Sequence, residues 1–129
     1  MSIPSHLSTL EPSQPAIDPE ALELLREDLD PEDLIRVVSL YLEKLPGRVA
    51  GILAACEQQD GAALAHIAHP MKSSSRQLGA LLLGGLCERL EYAGRDQQVA
   101  TVIEQLPALQ QEVAVVQVAL RWLIDHTVC

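Results

Sequence analysis

The stretch AHPMKSSSRQLGALLLGGLCERLE, residues Ala68 to Glu91, decides the fold. Leu64, Ile67, Met71 and Leu78 recur at helical spacing through and before it, which predicts a helix from about Asp60 to Gln77. The Leu78-Gly79-Ala80 segment can end that helix, because glycine readily adopts the left-handed conformation of a helix terminus. A second helical period follows from Leu81 to Ala93, carried by Leu82, Leu83, Leu86 and Leu90, and Gly94 is placed to close it. Two helices joined by so short a turn fold back on each other, so the stretch reads as an antiparallel helical hairpin.

The rest of the chain extends the same architecture. Upstream, Asp18-Pro19-Glu20 and Asp30-Pro31-Glu32 each set a capping carboxylate before a proline, whose missing N–H costs nothing in a helix's first turn. The first of these helices is short. The second runs to about Gln59 through Leu34, Val38, Tyr41, Leu45, Val49, Ile52 and Cys56, with a kink expected at Pro46-Gly47. Downstream, Val99, Val102, Ile103, Leu106, Val113, Val116, Leu120 and Leu123 predict a last helix from Asp96 to about Asp125, bent at Pro107. No strand period competes. The expected fold is all-α, an antiparallel up-and-down four-helix bundle with a short additional N-terminal helix. Residues 18–129 form the bundle. Residues 1–17, with three prolines among Ser, Thr and Gln, read as a flexible tail.

Composition bounds what such a bundle does. A chain of 129 residues closes one core, and with 48% hydrophobic residues, no Phe and Trp122, Tyr41 and Tyr92 as the aromatics, that core is aliphatic. Tyr41, Trp122 and Cys87 are read as packing residues. A net charge of -9 argues against nucleic acid and anionic membranes as partners. The apolar runs are too short to span a bilayer and no secretory signal precedes them. Three widely spaced cysteines give neither a disulfide framework nor a metal knuckle, which fits a reduced, cytoplasmic setting.

Within this acidic chain one helix face is locally basic. At about 100° per residue, Ala62, Ala65, His66, Lys72, Ser73 and Arg76 all fall within about 60° of His69, while Leu64, Ile67, Met71, Ser74 and Leu78 fall opposite. His69 therefore projects outward beside two cations and several small residues. Three readings follow: an ordinary surface histidine on a solvated face, a metal pair with His66 that lacks further ligands, or a phosphoryl carrier. In the third, a neutral imidazole nitrogen is the nucleophile and Lys72 offsets charge on the phosphoryl oxygens. Folding the hairpin at equal rise brings His69 level with Arg89 to Glu91. Glu91 is then either the hydrogen-bond acceptor that fixes the imidazole tautomer or an exposed helix-end carboxylate.

The same residues resemble the signature of histidine-containing phosphotransfer (HPt) domains, which runs AHxLKGSS, then LGA, then LCxxLE. The resemblance spans Pro19 to about Asp125. It implies that His69 accepts the phosphoryl group, that Lys72 steadies it, and that the surrounding surface, Ala62, Ala65, His66, Ser73 and Arg76, docks receiver domains. Those receivers would belong to response regulators and to a hybrid sensor kinase. Ser73 stands where the family usually has glycine, and Pro70 removes the amide that would bond the His66 carbonyl, which allows a kink at the site. The implied protein is a monomeric phosphocarrier, not a kinase, with no cofactor of its own and with Mg2+ supplied by the partner receiver. Gly84-Gly85 lies inside a helical period and lacks the setting of a phosphate-binding loop. A helical scaffold or antagonist that binds receiver or kinase domains without being phosphorylated is the alternative, and it would have no need of His69.

Overall fold

Both Asp-Pro-Glu steps start helices in the computed structural model, which describes residues 15–127. Helix α1 spans Pro19–Asp28 and α2 spans Pro31–Glu57. Asp18 accepts from the Glu20 amide at 3.3 Å and Asp30 from the Asp33 amide at 2.8 Å, satisfying donors that a helix start leaves without partners. Asp60 does the same for α3, Gly61–Gln77, through the Ala63 amide at 3.0 Å. Helix α4 covers Leu81–Arg95, a 3-10 helix covers Val99–Gln105, and α5 covers Leu106–Asp125. Helix α2 runs unbroken through Pro46, and α3 unbroken through Pro70.

The fold is the all-α bundle that the periods predict, with α2, α3, α4 and α5 around one aliphatic core. Ile52, Leu64, Met71, Leu83 and Leu120 are completely buried in it. Helix α1 covers one end with the half-buried Leu22 and Leu25. One polar pair crosses the interior, where Tyr41 and Ser75 hydrogen-bond at 2.7 Å and join α2 to α3. Burial pushes the Tyr41 hydroxyl up to about 12 against the opposing effect of the Ser75 bond, so the phenol stays neutral.

The α3–α4 hairpin depends on glycine at two places. Gly79 turns with φ of +86°, and its carbonyl accepts from the Asp18 amide at 2.8 Å, which ties the start of the bundle to the turn. Gly61 and Gly94 let the two helices touch backbone to backbone. A Cβ on Gly94 would lie 2.5 Å from the Gly61 carbonyl oxygen and 2.8 Å from the Ala65 nitrogen, and a Cβ on Gly61 would overlap the Gly94 carbonyl. Gly94 is thus a close-packing residue inside α4 and not its terminus. The helix ends one residue later and turns at Gln97, whose φ is +56°.

Three further expectations are corrected. Pro107 does not bend a helix but sits in the first turn of α5, where its missing donor costs nothing. Leu82 and Ile103, taken as interior, are 44% and 42% exposed. Trp122 is 59% exposed and stacks on the His126 ring at 4.0 Å, on the outside of α5. Tyr41 and Cys87 are buried as expected, and burial pushes the Cys87 thiol up to about 12. The expected tail lies outside the described residues as far as residue 14, while Ala16 and Ile17 rest half-buried against the core. Among the described residues no helix is long and apolar enough to cross a membrane.

Candidate functional site

Helix α3 carries His69 on its open face because the alternating apolar residues commit the other face to the core. The ring is 56% exposed, and its Nδ1 lies 2.8 Å from Oε2 of Glu91 on α4. Glu91 is the opposite case, a carboxylate only 1% exposed. Its burial is compensated by cations on both oxygens: Lys72 Nζ lies 2.7 Å from Oε1, and Arg95 Nη2 lies 2.5 Å from Oε2. Burial alone would raise the Glu91 carboxyl. The hydrogen bonds from Lys72 and His69, with the charges of Lys72 and Arg95, outweigh it and hold the group below its ordinary value.

An ionised Glu91 fixes the chemistry of the ring. A carboxylate only accepts, so Nδ1 must carry the proton, and in the neutral imidazole the lone pair then belongs to Nε2. The half-exposed ring thus pairs a held Nδ1 with an unencumbered Nε2, the arrangement a nitrogen nucleophile requires.

The other expected residues divide. Ala62, Ala65, His66, His69 and Pro70 line one open depression of about 510 Å³, and Arg95 completes its rim. Ser73 is exposed one turn beyond His69, where its Oγ donates to the His69 carbonyl at 3.3 Å. Ser74 donates to the Pro70 carbonyl at 2.8 Å. Arg76 is 42% exposed, its guanidinium pairs with Glu88 at 3.0 Å and its stem lies over Gly84. Lys72 is corrected more substantially. It does not stand free beside His69 but reaches to Glu91, and only 16% of its side chain is exposed. Arg95 was not anticipated at all. The Glu-to-Arg i,i+4 step from Glu91 is the sequence signal that could have found it.

The Hpt-domain family profile matches residues 36–119, well over half of the chain, and the protein belongs to that family. Among solved structures, the chain is similar to histidine-containing phosphotransfer protein B (HptB) from Pseudomonas aeruginosa PAO1. The two share 26% identity with a TM-score of 0.81, over 88% of this chain and 97% of that one. No curated protein matches the chain. Membership brings a role in histidine phosphotransfer within two-component signalling. Proteins of this family interact with receiver domains and are carriers rather than kinases.

Proposed function

We propose that His69 carries a phosphoryl group on Nε2 between the aspartates of receiver domains, as the intermediate of a multistep phosphorelay. The observation that carries this reading is the 2.8 Å contact of Nδ1 with the buried Glu91, which leaves Nε2 as the nucleophile on an exposed ring. Nε2 attacks the phosphorus of a receiver acyl phosphate. The phosphorus–oxygen bond to the aspartate breaks as the phosphorus–nitrogen bond forms, and the aspartate leaves as a carboxylate. The ring keeps its Nδ1 proton and becomes a phosphorylated imidazolium, whose new positive charge faces the Glu91 carboxylate. The return step runs the same path backwards onto a second receiver.

Lys72 and Arg95 are the cations nearest this step, each held at the carboxylate that also holds the ring. Their charge offsets that of the phosphoryl oxygens when the group sits on Nε2. In this reading Mg2+ and the catalytic aspartates belong to the receiver and this chain is the carrier, taken to be cytoplasmic and monomeric. Its partners are receivers of response regulators and of a hybrid sensor kinase.

Incubation with a phosphorylated cognate receiver tests the reading. Label is expected in the wild type and in His66→Gln but not in His69→Gln, and it should be lost in acid and survive alkali. Label persisting in His69→Gln, or tight receiver binding with no label, would favour a scaffold instead.

A further inference from the structure

Glu91 has more positive charge around it than its own charge needs. A carboxylate that is 1% exposed needs a cation in contact, and this one has Lys72 on Oε1 and Arg95 on Oε2. Oε2 also meets Nδ1 of His69, so that oxygen is shared by two donors.

The two cations differ in what their departure would do. Lys72 is 16% exposed, and moving its ammonium away would strand a buried carboxylate without its counter-charge. Arg95 is 57% exposed, is the last residue of α4, and lines with His69 the same open depression. An ion pair with one partner so exposed holds weakly, because water solvates the freed guanidinium. Arg76, two turns along α3 from His69, is paired with Glu88 and does not line the depression.

Phosphorylation changes the balance at Oε2. A ring loaded on Nε2 keeps its Nδ1 proton and becomes a cation, so it brings to Oε2 the charge that Arg95 supplies in the unloaded site. A group carrying about two negative charges appears on the exposed ring at the same time. Glu91 then has three positive partners, while the phosphoryl oxygens have none from this chain until one of the three moves. Arg95 is the one that can. With it on the phosphoryl group, the imidazolium, Lys72 and Arg95 balance Glu91 and the phosphoryl dianion.

We infer that Arg95 is a phosphoryl-binding residue that exchanges partners: it lies on Glu91 while the ring is bare and on the phosphoryl oxygens once Nε2 is loaded, and Lys72 stays at Glu91 throughout. The exchange opens the i,i+4 pair at the end of α4, so the loaded and unloaded chains differ in shape and charge beside the nucleophile. The inference rests on the carrier reading and adds to it a residue outside the stretch Ala68 to Glu91.

Phosphorus-31 NMR of the chain labelled by its phosphorylated receiver tests the exchange, since the second protonation of the phosphoryl group reads the charge beside it. Arg95→Gln should raise that titration midpoint by about one pH unit, because a neighbouring cation favours the dianion, and Arg95→Lys should recover most of the difference. Arg26→Gln on α1, which also removes one exposed cation, should leave the midpoint unchanged. In the wild type, the side-chain nitrogen-15 signals of one arginine should shift on labelling, and that response should be missing in Arg95→Lys. A midpoint in Arg95→Gln equal to that of the wild type, or arginine signals that do not respond to labelling, overturns the inference, while label at His69 keeps the carrier reading. A lowered melting temperature with an unchanged midpoint would make Arg95 a structural partner of Glu91 only. A wild type that forms no phosphohistidine removes both readings.

Discussion

Glu91 holds Nδ1 of His69 at 2.8 Å from a position that is itself 1% exposed, so the most accessible group of the site is oriented by its most buried one. Because a buried carboxylate is tolerable only with its cations in place, the same contact couples chemistry to stability.

Replacing Glu91 with Gln should therefore destabilise the bundle by about 1–3 kcal/mol at neutral pH, since Lys72 loses the charge that justifies its burial. The sign with pH follows from the lowered carboxyl. A folded-state value below the unfolded one gives stability that is complete above the ordinary Glu pKa of about 4.3 and is lost as pH falls through the depressed value. Urea midpoints of the wild type and Glu91→Gln should begin to approach each other as pH falls below about 4.3 and draw closest only below the depressed value. A gap that stays constant with pH would show that Glu91 contributes no charge-dependent stability.

Lys72→Ala is expected to act twice. It should slow phosphoryl transfer by about 1–3 kcal/mol in the barrier, and it should also lower the melting temperature, because Lys72 is largely buried against Glu91. Single-turnover transfer and thermal melts separate the two. Wild-type transfer rates in a destabilised Lys72→Ala would make the lysine a purely structural partner of Glu91.

The glycines of α4 should behave oppositely. Gly94→Ala drives a methyl into the Gly61 and Ala65 backbone and should cost about 1–3 kcal/mol. Gly85→Ala meets nothing within 4 Å and should stabilise the helix by up to about 1 kcal/mol through propensity alone. Equal effects in thermal melts would mean that the hairpin does not depend on backbone contact.

Ser73→Gln should keep the fold, since Ser73 is exposed. It should slow transfer from a receiver about tenfold or more, because a long side chain one turn from His69 holds the reacting atoms beyond about 3–3.5 Å. Ser73→Gly should transfer at least as fast as the wild type. Unchanged receiver transfer in Ser73→Gln would place docking elsewhere.

Much of this site could be read before the structure. The hairpin register followed from one glycine turn and equal rise on both sides, which put His69 level with Arg89 to Glu91, and it is Glu91, at the edge of that window, that the ring meets. Arg95 was missed for a definite reason: taking Gly94 as the end of α4 cut the helix before its next cation. A glycine in a helical period means termination or close packing, and sequence alone does not separate them. Lys72 was placed on the right face, yet an angle about the helix axis does not say that a four-carbon stem turns to a buried carboxylate on the next helix. Trp122 misled by size. It lies about 200° around α5 from Leu120, so the angular test applied to α3 would have put it outside.

The central claim is that Nε2 of His69, and no other atom of the chain, takes the phosphoryl group while Nδ1 keeps its proton against Glu91. Nitrogen-15 NMR of histidine-labelled protein, before and after phosphorylation by a receiver, reads this directly. The account predicts a neutral Nδ1–H tautomer for His69 beforehand and phosphorus coupling to its Nε2 afterwards. Coupling to Nδ1, coupling at His66, or an unphosphorylated ring in a protein that has accepted phosphate would contradict it.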